Sequence, residues 1–177
     1  MLNERAEDAY SVQDYQGAPL IAGVEVVELR RFHDDGGSMT ELGRLGAGVH
    51  RDLPGFEVRQ VNFSTMDPGV IKAFHLHRRQ TDVWFVPPSS KMLVVLGDVR
   101  EGSTTAGAVR RIVLGAGTSR LLRIPPGVAH GVRNIGTGTG QIIYFVDVQF
   151  DPAPEACDEG RLPWDHFGVE VWERERG

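Results

Sequence analysis

Between residues 20 and 150 no stretch carries a 3.6-residue apolar period, while turn signals recur every roughly 8 to 15 residues. That combination is the strongest constraint on the fold. Short runs rich in valine, isoleucine and leucine, such as DVWFV (82–86), KMLVVLGDVR (91–100), RRIVL (110–114), SRLLRI (119–124) and QIIYFVDVQF (141–150), read as strands. Asp34-Asp35-Gly36-Gly37, Met66-Asp67-Pro68-Gly69 and Pro87-Pro88 punctuate them. The 22 glycines and 10 prolines are spread along the chain, as many tight turns require. The expectation is an all-β fold, a sandwich or barrel of jelly-roll type. Residues 1–20 read as an arm with at most a short helical turn. Residues 21–177 read as a single jelly-roll domain ending in a loop-rich tail.

Composition narrows the partners. The net charge of −5 offers no basic footprint for nucleic acid or an anionic membrane. No apolar run has the length of a membrane-spanning helix, and residues 1–20 lack a signal-peptide core, so a cytoplasmic location is expected. The single cysteine, Cys157, cannot form an intramolecular disulfide and reads as an inert thiol.

Two segments carry the chemistry. In GVIKAFHLHRRQTD (69–82), His75 and His77 are two residues apart on a strand and so point to one face. In IPPGVAHGVRN (124–134), a Pro-Pro-Gly turn leads to His130. A histidine on a strand is usually a satisfied polar residue, but two on one face and a third after such a turn look like a site. EVRQVNFS (57–64) adds a strand with Gln60, Asn62 and Ser64 on one face and Val61 and Phe63 on the other. An amide-lined face of this kind suits an inner wall that meets a polar ligand, and equally an exposed sheet edge. His33, His50 and His166 fall in loops or at the surface.

The pattern G-x5-H-x-H from Gly69 to His77, followed by P-x-G-x2-H-x3-N from Pro125 to Asn134, is similar to the paired motifs of the cupins. In metal-binding cupins the corresponding residues, here His75, His77, Asp82 and His130, hold a divalent ion such as Fe, Mn, Ni or Zn. A metal-dependent dioxygenase or isomerase is therefore one reading.

A longer resemblance favours another. Residues 25 to 167 resemble the dTDP-4-dehydrorhamnose 3,5-epimerases, cupin-type jelly rolls that act as dimers without a metal. Asp35-Gly36-Gly37 with Glu41 is similar to the family's D-R-G…E start. Gln60, Asn62 and Ser64 match its Q-x-N-x-S strand, and GVIKAFH is similar to G-V-L-R-G-L-H. Arg100, Ser103, Thr105 and Gly107 echo R-x-x-S-x-T-x-G, and IPPGVAHG is close to I-P-x-G-F-A-H-G.

The resemblance implies His75 as catalytic base, Tyr144 as acid and Asp165, of Trp164-Asp165, as the carboxylate that orients the base. It implies Lys72, Gln60, Asn62, Glu41, His130 and His77 as substrate contacts, no cofactor, a nucleotide-linked 4-keto-6-deoxy sugar as substrate and a homodimer. Departures fall on the cations: Lys72 and Gly36 stand where the family has arginines, and Asp82 lies near its lysine. A family member that only binds sugar is the third reading.

Overall fold

Alternation along each strand sorts the side chains into three apolar layers. The computed structural model describes residues 1–12 and 18–174. Among the described residues fourteen strands follow a short helix, α1 (Glu4–Ala9), capped by the Asn3 side chain on Ala6 N–H. They are β1 (Glu25–Glu28), β2 (Arg31–His33), β3 (Ser38–Thr40), β4 (Leu45–Gly46), β5 (Val49–His50), β6 (Gln60–Met66) and β7 (Ile71–Leu76). Then come β8 (Asp82–Phe85), β9 (Lys91–Asp98), β10 (Val109–Gly115), β11 (Arg120–Ile124), β12 (Val128–Asn134), β13 (Gly140–Val146) and β14 (Gly160–Arg161). One antiparallel sheet runs β1-β11-β8-β13-β6 and the other β10-β9-β12-β7-β14. This is the jelly roll expected, closed as a two-sheet sandwich.

Between the sheets lies the main core, with Met92, Val94 and Leu96 of β9 against Trp84, Leu122 and Ile142 of the opposite sheet. The alternate residues of β8, Val83 and Phe85, turn outward and are covered by Leu53 and Phe56 from the segment after β5. The alternate residues of the other sheet, Leu93, Val95, Phe74 and Ala129, turn outward under Trp172 and Phe167 of the tail. Each outer face is thus closed by chain outside the sheets, which gives the loop-rich segments 42–58 and 162–172 a structural purpose.

Some expectations shift. The run 23–32 is not one strand: β1 ends at Glu28, and Arg31–His33 pairs instead with β3 in a separate hairpin. Its turn is the Asp-Asp-Gly-Gly segment, where Asp34 Oδ1 accepts from the N–H groups of Gly36 and Gly37. His50 is not a surface residue. It is buried, with Nε2 2.9 Å from the Leu42 carbonyl and Nδ1 accepting from Asp52 N–H. In the tail it is Trp172 that is packed down, its Nε1 donating to the Trp164 carbonyl, while Trp164 is 49% exposed. The expectations for the arm and for the loop-rich tail fall in part on residues 13–17 and 175–177, outside the described residues. No helix among the described residues is long and apolar enough to cross a membrane.

Candidate active site

Period-2 alternation aims the site residues inward. On β12, Val128 and Val132 belong to the inter-sheet core, so His130 between them faces the same way. On β8, Asp82 shares the inner face with Trp84, and on β13 Tyr144 shares it with Ile142. The register His130↔His75 lays the histidine strand beside β12. One cavity of about 520 Å³ results, lined among others by His75, His77, Asp82, His130, Tyr144 and Lys72. A second hollow of about 470 Å³ shares His75 and Tyr144 with it and adds Gln60 and Asn62.

His75 is held at both ring nitrogens. Arg161 Nη1 donates to Nε2 at 2.8 Å, and Nδ1 lies 3.4 Å from Glu159 Oε2. Since guanidinium can only donate, Nε2 carries the lone pair and the Nδ1 proton faces the carboxylate. Burial is the main influence on its titration and lowers the pKa below the usual histidine value. Glu159 opposes that shift, and the positive charge of Arg161 and the His130 ring add to it. A neutral imidazole at pH 7 is the form that can accept a proton.

The partners of His75 come from β14 and the residue just before it, β14 pairing with β7 through Gly160↔Leu76 and Arg161↔His75. Glu159 and Arg161 were not singled out in the sequence. They are 84 and 86 residues from His75 and lie in a segment with no strand signal. Asp165, expected at the ring of His75, is exposed on the turn after Pro163 and does not line the cavity. Glu159 supplies the carboxylate there instead, because strand pairing puts β14, and not the Trp164-Asp165 turn, along the histidine strand.

Deeper in the cavity a second group surrounds Asp82, which is buried. Gln80 Nε2 donates to Asp82 Oδ1 at 2.8 Å and Trp84 Nε1 to Oδ2 at 3.0 Å. His77 Nε2 lies 3.8 Å from Oδ1 and His130 Nε2 3.4 Å from Oδ2. Burial by itself would raise the carboxyl pKa; His130, His77 and Gln80 outweigh it and bring Asp82 down to about 2. The turn that presents His77 is built by Asp158, whose carboxylate accepts from the backbone N–H groups of Arg78, Arg79 and Gln80. Tyr144 is half-buried, and burial first, then the carboxylates of Asp82 and Glu159, raise its pKa, keeping the phenol protonated.

Of the other expected contacts, Lys72 reaches the rim, with Nζ near Ser64 Oγ and the Thr65 carbonyl. Gln60 donates to Asn62 Oδ1 at 2.8 Å and takes the Phe150 N–H on its own oxygen. Glu41 is not brought to the site: it pairs with Arg44 at 2.8 Å and lines neither cavity.

These features have counterparts in known proteins. The family model for dTDP-4-dehydrorhamnose 3,5-epimerase matches residues 19–170. The chain is 42% identical over 146 residues to the spore coat polysaccharide biosynthesis protein SpsL of Bacillus subtilis strain 168, covering 82% of this chain and 91% of that protein. It is 31% identical over 147 residues to the probable low-salt glycan biosynthesis epimerase Agl13 of Haloferax volcanii, covering 83% of this chain and 90% of that one. Among solved structures, the dTDP sugar isomerase of Desulfovibrio desulfuricans G20 superposes with a TM-score of 0.71 at 29% identity, over 84% of this chain and 90% of that chain. With a jelly roll, an inward-facing histidine and tyrosine, and a match spanning most of its length, the chain belongs to the dTDP-4-dehydrorhamnose 3,5-epimerase family, enzymes of the isomerase class.

Proposed function

We propose that this chain epimerises a 4-keto-6-deoxy sugar carried on a nucleoside diphosphate, with His75 as base, Glu159 as its orienting carboxylate and Tyr144 as acid. Protons at C3 and C5 of such a sugar are acidic because the electron pair left behind delocalises into the C4 ketone as an enolate. His75 Nε2 takes the proton, and the Nδ1 proton facing Glu159 steadies the imidazolium that forms. Tyr144 delivers its phenolic proton to the opposite face of the same carbon, and the enolate collapses back to the ketone with that centre inverted. The histidine and tyrosine then recover their starting protonation by exchange with solvent.

The observation that carries this reading is the state of His75: neutral, oriented by Glu159, and sharing its cavity with a protonated Tyr144. Arg161 occupies Nε2 without substrate and must swing aside for proton transfer. Arg161 and Lys72 then supply positive charge for the enolate oxygen or the diphosphate. The names of the solved relative and of the matching family support a dTDP-linked substrate. A homodimer follows the same family reading, and Val61 and Phe63, 55% and 63% exposed on the outer face of β6, offer it an apolar surface.

The test is solvent exchange. Incubated in D2O with a dTDP-4-keto-6-deoxyhexose, the protein should place deuterium at C3, C5 or both, and His75→Asn should abolish the uptake. Absence of uptake with the unaltered protein would remove the support for this assignment.

A further inference from the structure

The lone pair on His75 Nε2 has two claimants. Proton abstraction requires it free, and Arg161 Nη1 engages it through a 2.8 Å hydrogen bond. One lone pair cannot serve both, so the base is competent only in the fraction of molecules whose Arg161 has turned away. Glu159 does not relieve this, because it faces Nδ1 on the other side of the ring.

The engagement is of a kind that exchanges readily. Arg161 is exposed, and among the described residues the ring of His75 is the only hydrogen-bond partner of its guanidinium, which forms no ion pair. A guanidinium that gives one N–H to a neutral ring leaves most of its donor fork unused. A phosphate takes two parallel, charge-assisted bonds from the same fork. An anion within reach therefore draws Arg161 off the ring.

The lining of the site says where that anion sits. Arg161 borders both the main cavity and the adjoining hollow of about 470 Å³. Besides His75 and Tyr144, the polar lining of that hollow is Gln60, Asn62, Gln80 and Glu159, so Arg161 is its one permanent cation among the described residues. Lys72 lines the main cavity and not this hollow. An anionic group placed there meets the Glu159 carboxylate, and Arg161 alone can offset the repulsion.

We infer that Arg161 is a latch on the base, released by the diphosphate of the substrate, so that the chain discriminates against keto sugars that carry no anionic group. This rests on the epimerase reading and adds to it a condition for turnover. With the sugar ring at His75 and Tyr144, which line both spaces, the diphosphate takes the adjoining hollow. Arg161 follows the anion, and the C–H proton passes to the freed Nε2. The same move strengthens the base. Arg161 is one of the influences that lower the basicity of His75, after burial and His130, and its charge leaves the ring at the moment of use. Binding of the non-reacting end of the substrate is thereby converted into reactivity at the sugar.

The test supplies sugar and anion as separate pieces. In D2O the unaltered protein should exchange the methyl glycoside of a 4-keto-6-deoxyhexose slowly, and inorganic diphosphate should raise that rate at least about 10-fold. Arg161→Ala should exchange the glycoside faster than the parent, show no response to diphosphate, and exchange the dTDP-linked sugar more slowly than the parent. A residue that merely holds the ring gives another pattern: both sugars slowed by a similar factor in the variant, and no stimulation in the parent. That pattern overturns the latch. Nitrogen-15 NMR gives a readout without turnover. Inorganic diphosphate should move the His75 Nε2 signal of the unaltered protein toward that of an unbonded ring nitrogen, where the signal of Arg161→Ala already lies, and leave Nδ1–H in place. An Nε2 signal that diphosphate leaves unmoved overturns the latch even if the dTDP-linked sugar is epimerised. Release of Nε2 without deuterium uptake from either sugar counts against the proposed epimerisation and leaves the latch standing.

Discussion

Arg161 Nη1 donates a 2.8 Å hydrogen bond to the one nitrogen of His75 that can act as a base. The opposite nitrogen faces Glu159, so β14 and the residue before it decide both the tautomer of His75 and the availability of its lone pair, the base of the proposed reaction.

That arrangement separates two carboxylates by experiment. Glu159→Gln removes the charge that steadies the imidazolium and should lower the solvent-exchange rate by about 100-fold. Asp165→Asn, at an exposed position outside the cavity, should stay within about twofold of the parent, since surface substitutions of this kind have small effects. Deuterium uptake measured by mass spectrometry on both variants checks this, and the opposite ranking would return the orienting role to Asp165.

Tyr144 is expected to act after the proton has left. Tyr144→Phe should therefore slow inversion by about 100-fold while deuterium still exchanges on the face served by His75. Proton NMR of the sugar ring, which distinguishes exchange from inversion, reads the two separately. Equal loss of both would show that the phenol is needed for the first transfer too.

Packing of the tail depends on Gly97. A Cβ placed there would meet the Phe167 ring at 2.1 Å, and Phe167 stacks edge-on against Phe74 with centroids 4.9 Å apart. Gly97→Val should cost about 1–3 kcal/mol through overpacking and loosen the segment around Trp172. Thermal unfolding and hydrogen exchange of the Trp172 indole would register it. An unchanged melting temperature would mean that the tail contributes little to stability.

Acid should unfold the protein in part through Asp98. Arg100 first, then Ser103 and Thr105, stabilise its carboxylate against burial and hold its pKa well below the usual range. A pKa depressed by folding means the unfolded chain takes up the proton more readily. The stabilisation is thus complete above the ordinary aspartate value of about 3.9 and is lost as pH falls below it. Asp98→Asn should be less stable at pH 7, with the difference from the parent shrinking as pH drops from about 4 toward 2. Denaturant melts at several pH values measure the slope; a constant difference would assign the loss to packing.

Periodicity was enough to find most of the longer strands of the two main sheets and to say which of their residues share a face. His75, His77, His130 and Tyr144 all reach the cavity because alternation is local and survives whatever the strand pairs with. The strand Gln60–Met66 likewise turned its amides inward and left Val61 and Phe63 outside. The sequence itself therefore determined the all-β class, the inward histidines and the resemblance to a sugar-epimerase family. Tertiary structure decided which carboxylate serves which histidine. Glu159 reaches His75 by a two-residue strand pairing too short to leave a pattern, and Asp165 sits on a turn that the same tail carries away. It also buried His50 and Trp172 beneath loops that look solvent-exposed in one dimension. Pairings across 80 or more residues depend on how the two sheets close, and closure is a property of the whole chain.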